Sequence, residues 1–223
     1  MGRPNVAFLL DVDNTLLDND RITGDLRRHL DRQVGHERAD SYWACFEAIR
    51  AELGYADYLG ALQRYRMEYP RDPHLLTVSH FLLHYPFADR LFPRALEVIA
   101  HLKQWGRVVI LSDGDVVFQP LKIERSGIMQ SVDGHVLIYI HKEKEMDDVQ
   151  QRYPAGHYVM FDDKLHVLAG MKACCPRITT VFIEQGHYAH DPQILQRTPP
   201  ADVSLRCIGD LLDYDITALI GNT

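Results

Sequence analysis

The chain has 223 residues, 46% hydrophobic and 25% charged, with a formal net charge of -7. That length suits one large domain, or one domain carrying an insertion, with enough material for a sizeable core. The acidic balance argues against a nucleic-acid partner, no run of about 18 apolar residues offers a membrane span, and four cysteines without a C-x-x-C pair read as reduced thiols of a cytoplasmic protein rather than a zinc site.

Val6 to Leu10 is a continuous apolar run, as expected for a strand buried on both faces of a parallel sheet. It ends on two carboxylates, Asp11 and Asp13. From residue 20 to 88 no strand pattern appears. Tyr42, Phe46, Ile49 and Leu53 recur at helical spacing, as do Leu59, Leu62 and Tyr69, and "HLLTVSHFLLHYP" reads as a further helix ended by Pro86. This stretch is expected to be an all-helical insertion, 20–88, in a core built from 1–19 and 89–223. Beyond it, Pro93 opens a helix that stops before Gly106, followed by a strand over Val108 to Leu111 and a helix from Gln119 to Ser126. Strands over Val136 to Ile140, Tyr158 to Phe161, Thr180 to Ile183 and Val203 to Ile208 alternate with helices over Lys144 to Arg152 and Leu165 to Ala173. His187 and His190, between Gly186 and Pro192, are expected in a loop. The alternation predicts an α/β fold, a Rossmann-like parallel sheet with helices on both faces.

Open parallel sheets place ligands beyond the carboxyl ends of their strands. The residues at those ends are Asp11, Asp13 and Thr15 after the first strand, Ser112 and Asp113 after the second, His141 and Lys142 after the third, and Asp162 and Asp163 after the fourth. Alone, each reads as a turn or cap residue. Together they bring acid, hydroxyl and cation to one edge, where a divalent cation between the carboxylates lets like charges coexist.

In order and spacing, "DVDNT", "VVILSD", a lysine before a helix and "VMFDD" resemble the four motifs of the haloacid dehalogenase superfamily. The insertion resembles that superfamily's helical C1 cap. The resemblance implies Asp11 as a nucleophile forming an aspartyl-phosphate. Asp13 would be the general acid for the leaving oxygen and then the base for water. Ser112 and Lys142 would hold the transferring phosphoryl group, with Asp113 beside them and Thr15 steadying the loop. It implies Mg²⁺ bound by Asp11, the backbone carbonyl of Asp13, Asp162 and Asp163. Lys144 is an alternative to Lys142, although Met146 and Val149 fall at helical offsets behind the latter. Phe161 stands where members commonly carry Gly, and His166 where many carry a further Asp, which leaves Asp163 as the second carboxylate.

The implied function is a Mg²⁺-dependent phosphatase, monomer or homodimer, acting on a small phosphorylated metabolite with no nucleic-acid or membrane partner. A phosphomutase uses the same residues. A dehalogenase lacks the carboxylate at the position of Asp13, because halide leaves without a proton. A third class is a phosphoryl-binding regulatory module without turnover. Among the arginines of the insertion, one facing the cleft would bind a second anion; Arg64, Arg66 and Arg71 are candidates.

Overall fold

Six strands, β1 (Val6–Leu10), β2 (Arg107–Asp113), β3 (Val136–Tyr139), β4 (His157–Asp162), β5 (Thr179–Ile183) and β6 (Val203–Leu205), form one parallel sheet in a computed structural model that describes residues 5–220. The order is β3-β2-β1-β4-β5-β6, so the winding reverses at β1 and the crevice lies beyond the ends of β1 and β4. The extremes of the expected core, 1–4 and 221–223, lie outside the described residues.

Twelve helices accompany the strands among the described residues. Four lie between β1 and β2: α1 (Asn19–Val34), α2 (His36–Leu53), α3 (Tyr58–Glu68) and α4 (Leu75–Leu83). Five follow within the α/β alternation: α5 (Ala95–Leu102), α6 (Phe118–Arg125), α7 (Ile128–Ser131), α8 (Met146–Arg152) and α9 (Leu165–Cys174). Short turns of helix, α10 (Gly186–Ala189), α11 (Pro192–Arg197) and α12 (Ile216–Leu219), complete the chain. None of these helices is long and apolar enough to cross a membrane.

Successive residues of β1 point to opposite faces, and both faces are buried. Phe8 and Leu10 join Val98, Ile99, Phe118 and Ile123 from α5 and α6. Ala7 and Leu9 join Met146, Val149, Leu165 and Met171 from α8 and α9. This is why the strand reads as an unbroken apolar run.

In the insertion, Asp18 caps α1 by accepting from the Arg21 amide at 2.8 Å, and Ile22, Leu26 and Leu30 line its buried face. Tyr42, Trp43 and Phe46 of α2 pack edge-on, with centroids 5.4 and 5.3 Å apart, beside Tyr58 and Tyr65 of α3. Each such ring contributes about 1.5–3 kcal/mol by leaving water. Asp72 sits beneath α3, accepting from Tyr65 at 2.6 Å, Arg38 at 3.0 Å and the His74 amide at 2.9 Å. Gly54 ends α2 with φ +84°, and a Cβ there would come 2.7 Å from the His141 ring, so glycine lets the insertion close onto the sheet edge. The insertion leaves and rejoins the sheet through adjoining segments. The Asp18 amide donates to Arg90 carbonyl oxygen at 2.8 Å, and the Phe92 amide to that of Leu16 at 2.9 Å.

Some expectations shift. Leu53 is 38% exposed because α2 ends there, rather than forming a fourth rung of the buried stripe. β3 stops at Tyr139, leaving Ile140 exposed, and β6 stops at Leu205, with Ile208 starting a 3₁₀ turn. His187 lies in α10 and His190 caps its end, not in an irregular loop, because the turn is pinned at its start by Asp20.

Candidate active site

The parallel register of β1 and β4 pairs Leu10 with Phe161, and the Asp11 amide extends the ladder by donating to the Phe161 carbonyl at 3.0 Å. Asp11 and Asp162 therefore stand side by side at the switch point. Lys142 enters from the turn after β3 and is wholly buried. Its ammonium pairs with Asp11, lies 2.7 Å from Asp162 Oδ2, and donates to the Leu111 carbonyl at 3.3 Å. Its backbone amide donates to Asp113 Oδ1 at 2.8 Å. Lys144 is exposed to solvent. The charged run around Lys142 thus contains one residue that faces inward.

Ligand-capable oxygens of Asp11, Asp162 and Asp163 lie within 4.8 Å of one another. Asp11 Oδ2 and both Asp163 oxygens are buried without a hydrogen-bond partner, and Asp162 Oδ2 has the Lys142 ammonium 2.7 Å away. Burial, reinforced by Asp11, pushes the Asp162 carboxyl up to about 6 although Lys142 opposes the rise. Burial, with Asp162 and Asp11 nearby, pushes Asp163 well above the ordinary carboxylate range. Asp113 is raised by burial, with Lys142 opposing. Burial works against the charge of Lys142, yet Asp11, Asp162 and Asp113 outweigh it and hold the ammonium well above the usual lysine range. Orphaned, crowded carboxylate oxygens with no sulfur or nitrogen donor fit a hard divalent cation, which would keep them ionised.

Asp13 lies apart from that cluster. Lys122 of α6, 1% exposed, donates to both its carboxylate oxygens, at 2.7 and 2.9 Å, and to Asn19 Oδ1 at 3.1 Å. The Asp13 side chain is therefore not part of the cation cluster, and only its backbone carbonyl remains as the expected ligand. Ser112 is buried and its Oγ accepts from Gln119 Nε2 at 2.9 Å, which leaves the hydroxyl proton to donate elsewhere; it meets the Asp113 carbonyl at 3.3 Å. Thr15 is fully buried, packed in the turn where its amide donates to the Val12 carbonyl at 3.3 Å.

The sequence reading missed Lys122, Asn19 and Gln119. A signal was present for Lys122, which follows Phe118 by one helical turn and so falls on the apolar face of its helix. Above the sheet edge a cavity of about 780 Å³ separates the strand ends from α1 and α2, a size suited to a small metabolite. Asp13, Asp113, Lys122 and Lys164 line its floor, and Arg27, Trp43, Arg50 and Tyr55 its roof. Arg64, Arg66 and Arg71 do not line it; Arg64 instead pairs with Glu52 at 2.9 Å.

The haloacid dehalogenase-like hydrolase family matches residues 6–174. No curated protein matches the chain. A solved structure from Burkholderia xenovorans LB400, a protein assigned to the haloacid dehalogenase-like hydrolases, is 56% identical, covering 98% of this chain and 100% of that one with a TM-score of 0.92. The L-2-haloacid dehalogenase of Xanthobacter autotrophicus shares the fold at 15% identity and a TM-score of 0.60, over 92% and 96% of the two chains. A magnesium-bound protein assigned to the same hydrolases, from Bacillus subtilis, does so at 13% and 0.63, over 95% and 98%. With a family match over most of its length and a relative of that identity aligned almost end to end, the chain belongs to the haloacid dehalogenase-like hydrolase family.

Proposed function

We propose that the protein is a Mg²⁺-dependent phosphatase that hydrolyses a small phosphate ester through an aspartyl-phosphate, with the four-helix insertion serving as the cap over its cavity. The observation that carries this reading is Asp13, a second carboxylate set beside the nucleophile's strand end and held by Lys122 at 2.7 and 2.9 Å. A leaving alkoxide needs a proton and a departing halide does not, so this residue has work in ester hydrolysis and none in dehalogenation.

Asp11, its backbone locked to β4, attacks phosphorus with one carboxylate oxygen; the P–O bond to the leaving group breaks and Asp13 delivers the proton to that oxygen. Water then attacks the phosphorus of the acyl phosphate, Asp13 takes its proton, and the Asp11–phosphorus bond breaks to release phosphate. Lys142 and the Ser112 hydroxyl, oriented by Gln119, hold the transferring oxygens. Asp11, Asp162, Asp163 and the Asp13 carbonyl would hold Mg²⁺, which when bound supplies charge neutralisation at the phosphoryl group.

The test is phosphate release from a panel of small esters, in Mg²⁺ and in EDTA. Wild type is expected to turn over only with Mg²⁺, and Asp11→Asn to lose at least about a thousandfold. Chloride release from 2-chloropropionate without phosphate release from any ester would overturn the reading.

A further inference from the structure

Helix α1 presents a stripe toward the cavity. Asn19, Thr23 and Arg27 fall at i, i+4 and i+8, on one face, and all three line the cavity with Gly24 between them. The stripe begins at the reacting end, where Asn19 Oδ1 accepts from Lys122 at 3.1 Å. It ends with Arg27, about 12 Å further along the axis at 1.5 Å per residue. Thr23 is tied down, its hydroxyl 2.8 Å from that of Tyr58, so the free functional group at the far end is the guanidinium.

That guanidinium lies over the Trp43 ring, 4.6 Å from its centroid. Its face is occupied by the indole and its edge of N–H donors stays open. Several arginines of the insertion are matched to acids, Arg28 to Asp25, Arg38 to Asp72 and Arg64 to Glu52, while Arg32, Arg66 and Arg71 lie outside the cavity. Among the described residues Arg27 has no carboxylate partner. Beside it in the cavity, Arg50 of α2 lies 5.6 Å from the Tyr188 ring, and its acid, Glu47, is at 3.5 Å in a solvent-exposed pair of small worth. An acidic protein has thus placed two guanidinium groups in the roof of the cavity over its strand ends, one of them stacked and unmatched. A stacked arginine with a free edge is built to take an anion in a two-pronged hydrogen bond.

We infer that Arg27, assisted by Arg50, forms a second-anion subsite, so that the substrate is a phosphate ester whose leaving group carries a carboxylate or a second phosphate. The inference rests on the phosphatase reading for the identity of the reacting end, and on α1 alone for the subsite. Arg27 is a specificity residue: it touches the far end of the substrate, not the reacting atoms.

The experiment uses the full chain with Mg²⁺ and ester pairs that differ by one anion. These are 3-phosphoglycerate against glycerol 3-phosphate for a carboxylate, and fructose 1,6-bisphosphate against fructose 1-phosphate for a phosphate. Wild type is expected to favour the doubly anionic member of at least one pair by tenfold or more in kcat/KM, and the favoured pair identifies the anion. The ratio should fall to near unity in Arg27→Gln and be partly kept in Arg27→Lys, while Arg71→Gln, outside the cavity, retains the wild-type ratio. Because the ratio is internal to each variant, a general loss of activity leaves it readable. A wild-type ratio below twofold in both pairs, or an unchanged ratio in Arg27→Gln, overturns the subsite while leaving ester hydrolysis intact. Failure of the phosphatase reading shows separately, as no turnover even of p-nitrophenyl phosphate. Calorimetric titration of the same pairs into Asp11→Asn then decides the subsite without turnover. Tenfold tighter, Arg27-dependent binding of a doubly anionic member supports it, and equal Kd values overturn it.

Discussion

Replacing Lys142 by methionine keeps most of the side chain's volume and deletes only its charge. In the wild type that ammonium pairs with Asp11, lies 2.7 Å from Asp162, and sits in a wholly buried site beside Asp113 and Asp163. Removing one partner from a buried ion pair costs about 3–5 kcal/mol, because the remaining charge has neither water nor counter-ion. For a chain of this size 1 kcal/mol is worth about 2–4 °C in Tm, so Lys142→Met should unfold about 10 °C below wild type in EDTA at pH 7.5. Two further effects follow from the same geometry. Mg²⁺ should raise the Tm of the variant more than that of wild type, since the cation then supplies the missing positive charge. The deficit should also shrink on acidification. Asp162 takes its proton at about 6 in the folded state, against 3.8 unfolded, so between those values the folded state holds more protons and falling pH favours it. Without Lys142 the upward push grows and the relief is larger. Scanning calorimetry at pH 7.5 and 5.5, with and without Mg²⁺, checks all three. A variant within 2 °C of wild type in EDTA would refute the view that Lys142 neutralises this site.

Lys122→Met should be milder, about 1–3 kcal/mol by urea unfolding, because its partner Asp13 keeps 24% of its side chain in reach of water; a loss equal to that of Lys142→Met would contradict this. Asp72→Asn should cost about 2 kcal/mol at pH 7. Burial alone would raise the Asp72 carboxyl, but hydrogen bonds from Tyr65, His74 and Arg38 hold it down to about 2, so its contribution is present above 3.8 and is lost as pH falls toward 2. The gap between wild type and Asp72→Asn should therefore be about half as large at pH 3. Gly186→Ala should lower Tm by about 5 °C, since Gly186 has φ +72° and an added Cβ would come 2.5 Å from the Asn14 side chain; an unchanged Tm would show that the turn relaxes freely.

Much of this architecture can be read from residues alone, for identifiable reasons. A strand covered on both faces must be apolar at every position, so β1 and β4 stand out as runs, and the acids that stop them mark the edge of the sheet. Strand ends were less visible. The ladder of β2 continues through Ser112 and Asp113, whose polar side chains conceal that their backbone still pairs with Ile138 and Tyr139. Helix α1 was hidden because only Ile22, Leu26 and Leu30 are buried within a stretch of mostly charged residues broken by Gly24. At the site, the acids and Lys142 were legible from their positions after strands. Lys122 was legible only as a lysine on the apolar face of its helix, one turn after Phe118; nothing local announces a partner as distant in sequence as Asp13. The cavity arginines illustrate the same limit. Arg27 and Arg71 look alike in the sequence, and only the packing of α1 over the strand ends tells them apart.

The position of β1 in the sheet has a consequence for how the molecule is made. β1 precedes the other strands, yet Ala7 pairs with Arg107 and Val6 with His157, so its two flanks lie about 100 and 150 residues further along the chain. The helices of the insertion have neighbours close in sequence and are free to assemble early. Formation of the sheet must therefore be the slow, entropically demanding step, with an apolar ribbon, Val6 to Leu10, left uncovered until it is complete. A nascent chain of this fold carries an apolar segment uncovered over a long stretch of synthesis, and its yield in a cell should respond to chaperone supply more than to its final stability.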